Sequence, residues 1–418
     1  MRKKLLLLGG TSISRQIVYA AHEMDIDVYV TDYLENSPCK AIAEKSFMVS
    51  CTDVDKVVQL IREENIDGVL TGYADVLLSS YVKICEKAGL PCYANLKAIE
   101  TTSDKYKFKN LCRGIENVPV VEEYSLNQVE NDKAAYPLIV KPVDNSGARG
   151  IYVCRSKTDF NTYYPQAMTF SPSKNVLVER MMADPEATIF YYFHNGEIYL
   201  MGVGDRHMYS FGEGMLRLPV GYTFPSKHQA DFIKYENESI KSMFRSLDMK
   251  EGMVFMQAFD DSDKYIIYEM GYRLTGTLEH HLFEQAYGFN TLKAIINYAV
   301  GNDVDVSPLA VMDLNSVQMA NVTLLLSQGI IGHYEGIDEV KRMPGVLHIH
   351  KSYNEGQEIG ESNIGRLSQV GIRVLLYADS RQQLLSRMDE IKNTLHVISK
   401  DGKDMIIRDY SYKEICTL

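Results

Sequence analysis

Along the first 95 residues the apolar positions alternate between continuous runs and helical spacing. Leu5–Leu8 is an unbroken apolar run, as a strand buried on both faces requires. Gly9-Gly10-Thr11-Ser12 makes a turn, and Ile13–Met24 reads as a helix. Val28-Tyr29-Val30 gives a second strand, ending at Asp32. Val54, Val57, Val58 and Ile61 form the stripe of an amphipathic helix over Asp53–Glu64, with Thr52 and Asp53 as caps. Gly68-Val69-Leu70 is a third strand, and the helix after it ends at Gly89. Strands alternating with helices predict a doubly wound parallel sheet whose ligands sit beyond the strand carboxyl ends. Gly9-Gly10 lies at such an end but lacks the full G-x-G-x-x-G spacing, so a tight strand-to-helix turn accounts for these glycines better.

Asn95–Cys112 reads as a connector of short helices. Its lysine-rich Lys105-Tyr106-Lys107-Phe108-Lys109 has the default reading of a solvated helix face. A strand is expected near Val120–Tyr124. Leu138-Ile139-Val140 is then followed at once by Lys141 and Pro142, a flexible segment from Asp144 to Gly150, and Ile151-Tyr152-Val153. This is a hairpin, either with an ordinary polar turn or with a tip of small residues that folds over an anion, Lys141 supplying the charge. A helix over Thr158–Met168 and a strand over Val176–Glu179 complete the unit. Thr188–Tyr209 forms two strands joined at His194-Asn195-Gly196. Asp205-Arg206-His207 lines an acceptor pocket or belongs to a plain loop.

Gln229–Leu247 is an amphipathic helix, and strands follow over Gly252–Phe259 and Lys264–Met270. Alternation puts Phe255, Gln257 and Phe259 on one face and Glu269 and Gly271 on a face of the partner, with Arg273 beyond. In the matching register Gln257 and Glu269 form an oxygen-bearing platform able to hold Mg²⁺ and phosphate. Singly, Gln257 reads as a buried amide, and Glu269 and Arg273 as a structural ion pair. Residues 309–418 form a third unit, with strands near Leu324–Gln328, Val346–His350 and Ile372–Ala378 and a helix over Ser380–Thr394. His348 and His350 share a strand face but have no third ligand beside them, so no metal site is read there.

The chain's 418 residues suggest two or three domains, and 45% hydrophobic with 24% charged residues is a globular composition. A net charge of −11 argues against a grip on nucleic-acid backbone. Seven scattered cysteines without a C-x-x-C pair predict reduced thiols in the cytoplasm. The four leucines after MRKK are too few for a signal-peptide core, and no apolar run has membrane-spanning length.

On LIVKPVDNSGARG, SDKYKFK, VLVERMM and the strand pair ending in Glu269-Met270-Gly271-Tyr272-Arg273, the chain resembles the ATP-grasp superfamily along nearly its whole length. The resemblance implies an α/β fold with residues 1–95 as a pre-ATP-grasp parallel sheet and 96–308 as a two-lobed α+β ATP-grasp domain (lid 118–180). Residues 309–418 would be a small α+β domain like that of biotin carboxylase and amino-acid ligases. It implies phosphate contacts from Lys105 and Lys141, closure of Ser146 and Gly147 over the β/γ-phosphates, and adenine reading by Glu179, Arg180, Met181 and Met182. It further implies a ribose contact from Glu186, Mg²⁺ (or Mn²⁺) on Gln257 and Glu269, and Arg273 on the γ-phosphate and acylphosphate. Two positions depart from the family pattern: Gln257 stands for an acidic residue and Gly271 for an asparagine. Arg273-Leu274 and Glu279-His280 are also similar to the segment that carries biotin carboxylase's base. The implied activity is ATP-dependent ligation of a small carboxylate to an amine, with homodimerisation through the first or last unit. The alternative is a nucleotide-binding protein with little turnover.

Overall fold

A computed structural model describes residues 2–144, 150–182, 185–211, 217–261 and 264–416. β1 (Lys4–Leu8), β2 (Asp27–Thr31), β3 (Lys45–Phe47) and β4 (Gly68–Leu70) form a parallel sheet in the order β3-β2-β1-β4. Helices α1 (Arg15–Glu23), α2 (Val54–Glu64) and α3 (Leu78–Ala88) connect and cover it. Asp53 caps α2 by accepting from the Lys56 N–H, and Gly89 ends α3 in the left-handed region, both as expected. The sheet is seated on the body of the protein at Gly68, where a Cβ would overlap the carbonyl of Ala299. The short polar edge strand β3 has no hydrophobic signature in the sequence.

The connector folds as α4 (Leu96–Ser103) and α5 (Lys105–Arg113), capped by Asn95 and Asp104. Beyond it, β5 (Leu138–Pro142), β6 (Tyr152–Cys154) and β7 (Val176–Arg180) form an antiparallel lid sheet in the order β6-β5-β7. The expected hairpin is present, with Ile139 opposite Val153. Leu138, Val140 and Val178 face the covering helix Lys157–Thr169 and pack with Phe160 and Ala167. The period of two therefore turns Lys141 and Glu179 to the other face.

The expected strand at Val120–Tyr124 is instead a linker. Val120 pairs with Ile267 of the central sheet, and Glu123 pairs with Glu179 of the lid. A segment that serves two sheets in succession cannot continue in either.

The body of the protein is an eight-stranded sheet. β8 (Glu186–His194), β9 (Glu197–Ser210), β10 (Arg217–Phe224), β11 (Gly252–Asp260) and β12 (Tyr265–Gly271) contribute five strands. Five more follow: β13 (Gln318–Leu325), β14 (Gly329–Glu335), β15 (Val346–Lys351), β16 (Glu358–Ile359) and β17 (Val370–Ala378). The order β12-β11-β8-β9-β10-β13-β17-β15 carries the sheet across residue 309, because β10 pairs with β13. β14, β16 and β18 (His396–Ser399) form a separate small sheet. β13 begins at Gln318, earlier than the strand expected at Leu324–Gln328. Its first turn of pattern is masked by Asn321 and Thr323, polar residues that are fully buried. The expected helix over Gln229–Leu247 breaks at Glu236 into Gln229–Tyr235 and Asn237–Ser246. There the Glu236 carboxylate accepts the Tyr265 N–H, and burial raises its pKa to about 7.

Candidate active site

Lys105 and Lys109 stand one turn apart on α5 and so share a helix face. Lys109 is fully buried, against the reading of this run as solvated. It pairs with Oε1 of Glu179, and its Nζ lies 3.5 Å from Glu123. Lys141 approaches the other oxygen of Glu179 at 2.7 Å. Burial alone would raise the Glu179 pKa, but Lys141 and Lys109 outweigh it and hold the carboxyl below its usual range. Burial pulls Lys105 below the usual lysine range against the pull of Glu269, with Lys141 adding repulsion. Three lysines and three glutamates thus meet where the open face of the lid sheet approaches β12.

The side-chain oxygens of Glu179 are engaged by lysines, so in this arrangement they offer an adenine amino group no free acceptor. The hinge backbone is also partly committed. The Arg180 N–H donates to Glu122 O at 3.0 Å and the Met181 N–H to Pro137 O at 3.1 Å, so neither N–H is open to a ring edge. Met182 is buried with Val121 and Ile266. Ser146 and Gly147 lie outside the described residues. The base of their loop is fixed by Asp144, which accepts from Ser171 Oγ at 2.6 Å and the Ser173 N–H at 2.9 Å.

β11 and β12 pair Gln257 directly with Glu269, the register the platform requires, with an irregularity just beyond that skips Tyr268. The Gln257 carbonyl oxygen lies 3.4 Å from Nη1 of Arg206, so a guanidinium stands beside one of the two expected metal ligands. Among the described residues no group of three or more His, Cys, Asp or Glu could hold a metal ion. Glu186 is buried and accepts from Arg206 at 2.6 Å, Arg217 at 3.2 Å and the Tyr268 hydroxyl at 2.8 Å. These bonds hold Arg206 in place and occupy the carboxylate that the resemblance assigns to ribose.

Arg273 makes a bidentate pair with Asp75, at 2.5 and 2.7 Å, which links the site to the carboxyl end of the parallel sheet. Its guanidinium also lies over the Phe255 ring, 5.0 Å from the centroid. Phe255 is opposite Gly271, and a Cβ on Gly271 would overlap the ring. The two departures from the family pattern therefore have physical counterparts: Arg206 stands against Gln257, and the Phe255 ring takes the space above Gly271.

A cavity of about 440 Å³ opens from Gln257 and Arg273 towards Thr11 and Ser12, Arg206, His350 and Arg373. It lies beyond the carboxyl end of β1, where a ligand was expected. Of Asp205-Arg206-His207, all within β9, Arg206 alone lines it. Asp205 pairs with Arg381, and His207 is buried against Thr223. Glu279 is buried and accepts from Thr275. A larger cavity, about 1220 Å³, lies behind the linker, among Arg113, Pro119, Leu177 and Lys264. Neither cavity is lined by Lys105, Lys141, Glu179 or Glu269; the smaller one is the one lined by Gln257, Arg206 and Arg273. His348, read as an ordinary strand residue, stacks on His281 with ring centroids 4.2 Å apart.

Sequence reasoning missed Lys109 and Arg373. The signal for the first was its spacing of four from Lys105. For the second it was a lone arginine inside the apolar run of β17.

A parallel sheet, a lid that folds over a large antiparallel sheet, and lysines facing a glutamate between the two lobes define an ATP-grasp fold. Residues 104–191 match the family of the carbamoyl-phosphate synthase L chain, ATP binding domain. Formate-dependent phosphoribosylglycinamide formyltransferase from Sulfurisphaera tokodaii is 25% identical over 198 residues, 46% of this chain and 50% of that protein. The chain thus spans about half the length of the curated relatives it matches. L-amino acid ligase from Bacillus licheniformis superposes with a TM-score of 0.77 at 17% identity, covering 96% of this chain and 99% of that one. The biotin carboxylase domain of Hydrogenobacter thermophilus 2-oxoglutarate carboxylase, solved with MgADP and bicarbonate, superposes at 0.75 and 17% identity, covering 97% and 91%.

Glu179→Gln leaves Lys141 without its carboxylate and Lys109 with Glu123 alone, and a loss of about 3–5 kcal/mol is expected in urea unfolding at pH 7. Because the folded pKa lies below the usual 4.5, the carboxylate's contribution is complete above that value and is lost as pH falls through the folded one. The acid limb of the wild-type stability profile should therefore flatten in the variant; an unchanged limb would contradict the pairing. Gly271→Ala should cost about 1–3 kcal/mol by crowding Phe255, and pairing it with Phe255→Leu should recover part of the loss. Equal stability of Gly271→Ala and wild type would show that the ring does not press on this position.

Proposed function

We propose that the chain is an ATP-dependent, ADP-forming ligase that activates a small carboxylate and couples it to an amine. The observation that carries this reading is that Lys105 and Lys141 gather with Glu179 and Glu269, while Gln257, the register partner of Glu269, lines an arginine-rich cavity. The ADP-bound biotin carboxylase domain and the amino-acid ligase of the same fold support it.

Lys105 and Lys141 neutralise phosphate charge, which costs little reorganisation because both are already held in place. Lys109 is the reason Lys141 can serve: with a second ammonium on Glu179, Lys141 can face a phosphate without stranding the carboxylate. Glu269, aided by phosphate oxygens and water, holds Mg²⁺ or Mn²⁺, and Gln257 is the weaker donor because it faces Arg206. When bound, Mg²⁺-ATP would supply the γ-phosphoryl group that converts the carboxylate to an acylphosphate and releases ADP; an amine then attacks the acyl carbon and inorganic phosphate leaves. Arg273, braced by Asp75 and Phe255, stabilises the charge on that group. Hinge carbonyls of Arg180 and Met181 read the adenine edge. Among the described residues no helix is long and apolar enough to cross a membrane, in keeping with small-molecule chemistry. Homodimerisation through the first or last unit belongs to the same reading.

The second reading, nucleotide binding with little turnover, is favoured by one observation, the Arg206 contact to Gln257. A coupled assay of ADP release with Mg²⁺-ATP, pooled small carboxylates and pooled amines separates the two. Ligase activity predicts substrate-stimulated ADP release that Lys141→Met lowers by about 10²-fold or more. Nucleotide binding with no stimulation in any pool would leave the second reading standing.

A further inference from the structure

The cavity holds three guanidinium groups, and they are not equivalent. Arg206 has Glu186 and Arg273 has Asp75. Arg373 is only 8% exposed, and among the described residues no carboxylate lies within 4.0 Å of it. Its register on β17 places it between Thr323 of β13 and His350 of β15. Nη1 donates to Thr323 Oγ1 at 2.6 Å. The Thr323 hydroxyl donates to Asn321 Oδ1 at 3.0 Å, and Asn321 Nδ2 donates to the Thr277 carbonyl at 2.6 Å. This chain of bonds fixes the guanidinium plane but supplies no charge.

A buried cation without a counter-ion is expensive, and two more cations line the same cavity. The nearby acid Glu279 compensates poorly: burial raises its pKa, and its Oε2 is taken by Thr275. Nε of Arg206 is also buried without a hydrogen-bond partner. His350, which burial and Arg373 hold near pKa 4, is neutral at pH 7, so it can donate to an anion without adding repulsion. A rigid guanidinium with no ion-pair partner within 4.0 Å among the described residues, and a neutral donor beside it, is suited to receive an anion.

We propose that Arg373, flanked by His350, is an anion subsite that docks a second acidic group of the substrate, a carboxylate or a phosphate, apart from the carboxylate activated near Glu269. This rests on the ligase reading and narrows its substrate to acids that carry two anionic groups. The geometry makes Arg373 a specificity-determining residue.

The test is calorimetric titration at constant ionic strength with the nucleotide site filled by saturating Mg²⁺-AMP-PNP. The probes are inorganic phosphate and acetate, applied to wild type, Arg373→Met and Arg373→Lys. At least one probe should bind wild type, weaken by about tenfold or more in Arg373→Met, and be partly retained in Arg373→Lys, with Mg²⁺-AMP-PNP affinity unchanged throughout. Preference for phosphate or acetate names the group. Equal probe affinity in wild type and Arg373→Met overturns the subsite. So does a parallel loss of Mg²⁺-AMP-PNP binding, which marks Arg373 as structural. Failure of wild type to bind Mg²⁺-AMP-PNP strikes the ligase reading instead. If Arg373→Met does not fold, tungstate soaked into wild-type crystals with the nucleotide decides: an anomalous peak within hydrogen-bonding distance of Arg373 supports the subsite, and peaks elsewhere only overturn it.

Discussion

Two ammonium groups closing on one buried carboxylate is the arrangement on which the site depends. Lys109 comes from α5, Lys141 from β5 and Glu179 from β7, so the contact binds a helix of the connector to the lid sheet. None of the three could be buried alone. Glu123, 3.5 Å from Lys109, brings the cluster to balance, and Lys105 and Glu269 add one charge of each sign. In the proposed nucleotide site a polyphosphate would draw Lys105 and Lys141 towards itself and leave Glu179 to Lys109.

Deeper in the cleft the lining is tipped towards positive charge. On β11 and β12 the protein has exchanged polar metal-facing groups for a ring and a guanidinium: Phe255 lies over Gly271, Arg273 lies over Phe255, and Arg206 turns to Gln257. The result is a cavity richer in cations than a metal-centred platform would be. On the proposed reading, such a site would hold its metal through the nucleotide and direct its own charges to acidic groups of the substrate. Because Asp75 braces Arg273 and Thr11 and Ser12 line the same cavity, the parallel sheet is part of the site's wall and not only its neighbour.

Much of this was legible in the chain. The run Leu138–Val140 followed by Lys141 gave the lid hairpin because a strand's period and the residues at its end are local. Gln257 and Glu269 could be paired because one short loop joins their strands. Lys109 was hidden by composition: a lysine-rich stretch reads as solvated, and only the partner carboxylate 70 residues away buries it. Arg373 was hidden for a related reason, since its neighbours Thr323 and His350 come from strands brought together by long-range pairing. The continuity of the sheet past residue 309 likewise depends on β10 meeting β13, and nothing local in either strand encodes that register. Val120–Tyr124 misled because it is apolar enough for a strand yet is shared between two sheets.

The central claim is spatial: one nucleotide is held between the lid and β12. A crystal structure with Mg²⁺-AMP-PNP tests it directly. The account predicts phosphates within hydrogen-bonding distance of Lys105 and Lys141, with the metal on Glu269. A nucleotide seated instead in the groove among Arg113, Pro119, Leu177 and Lys264, with the lysine–glutamate cluster untouched, would contradict it.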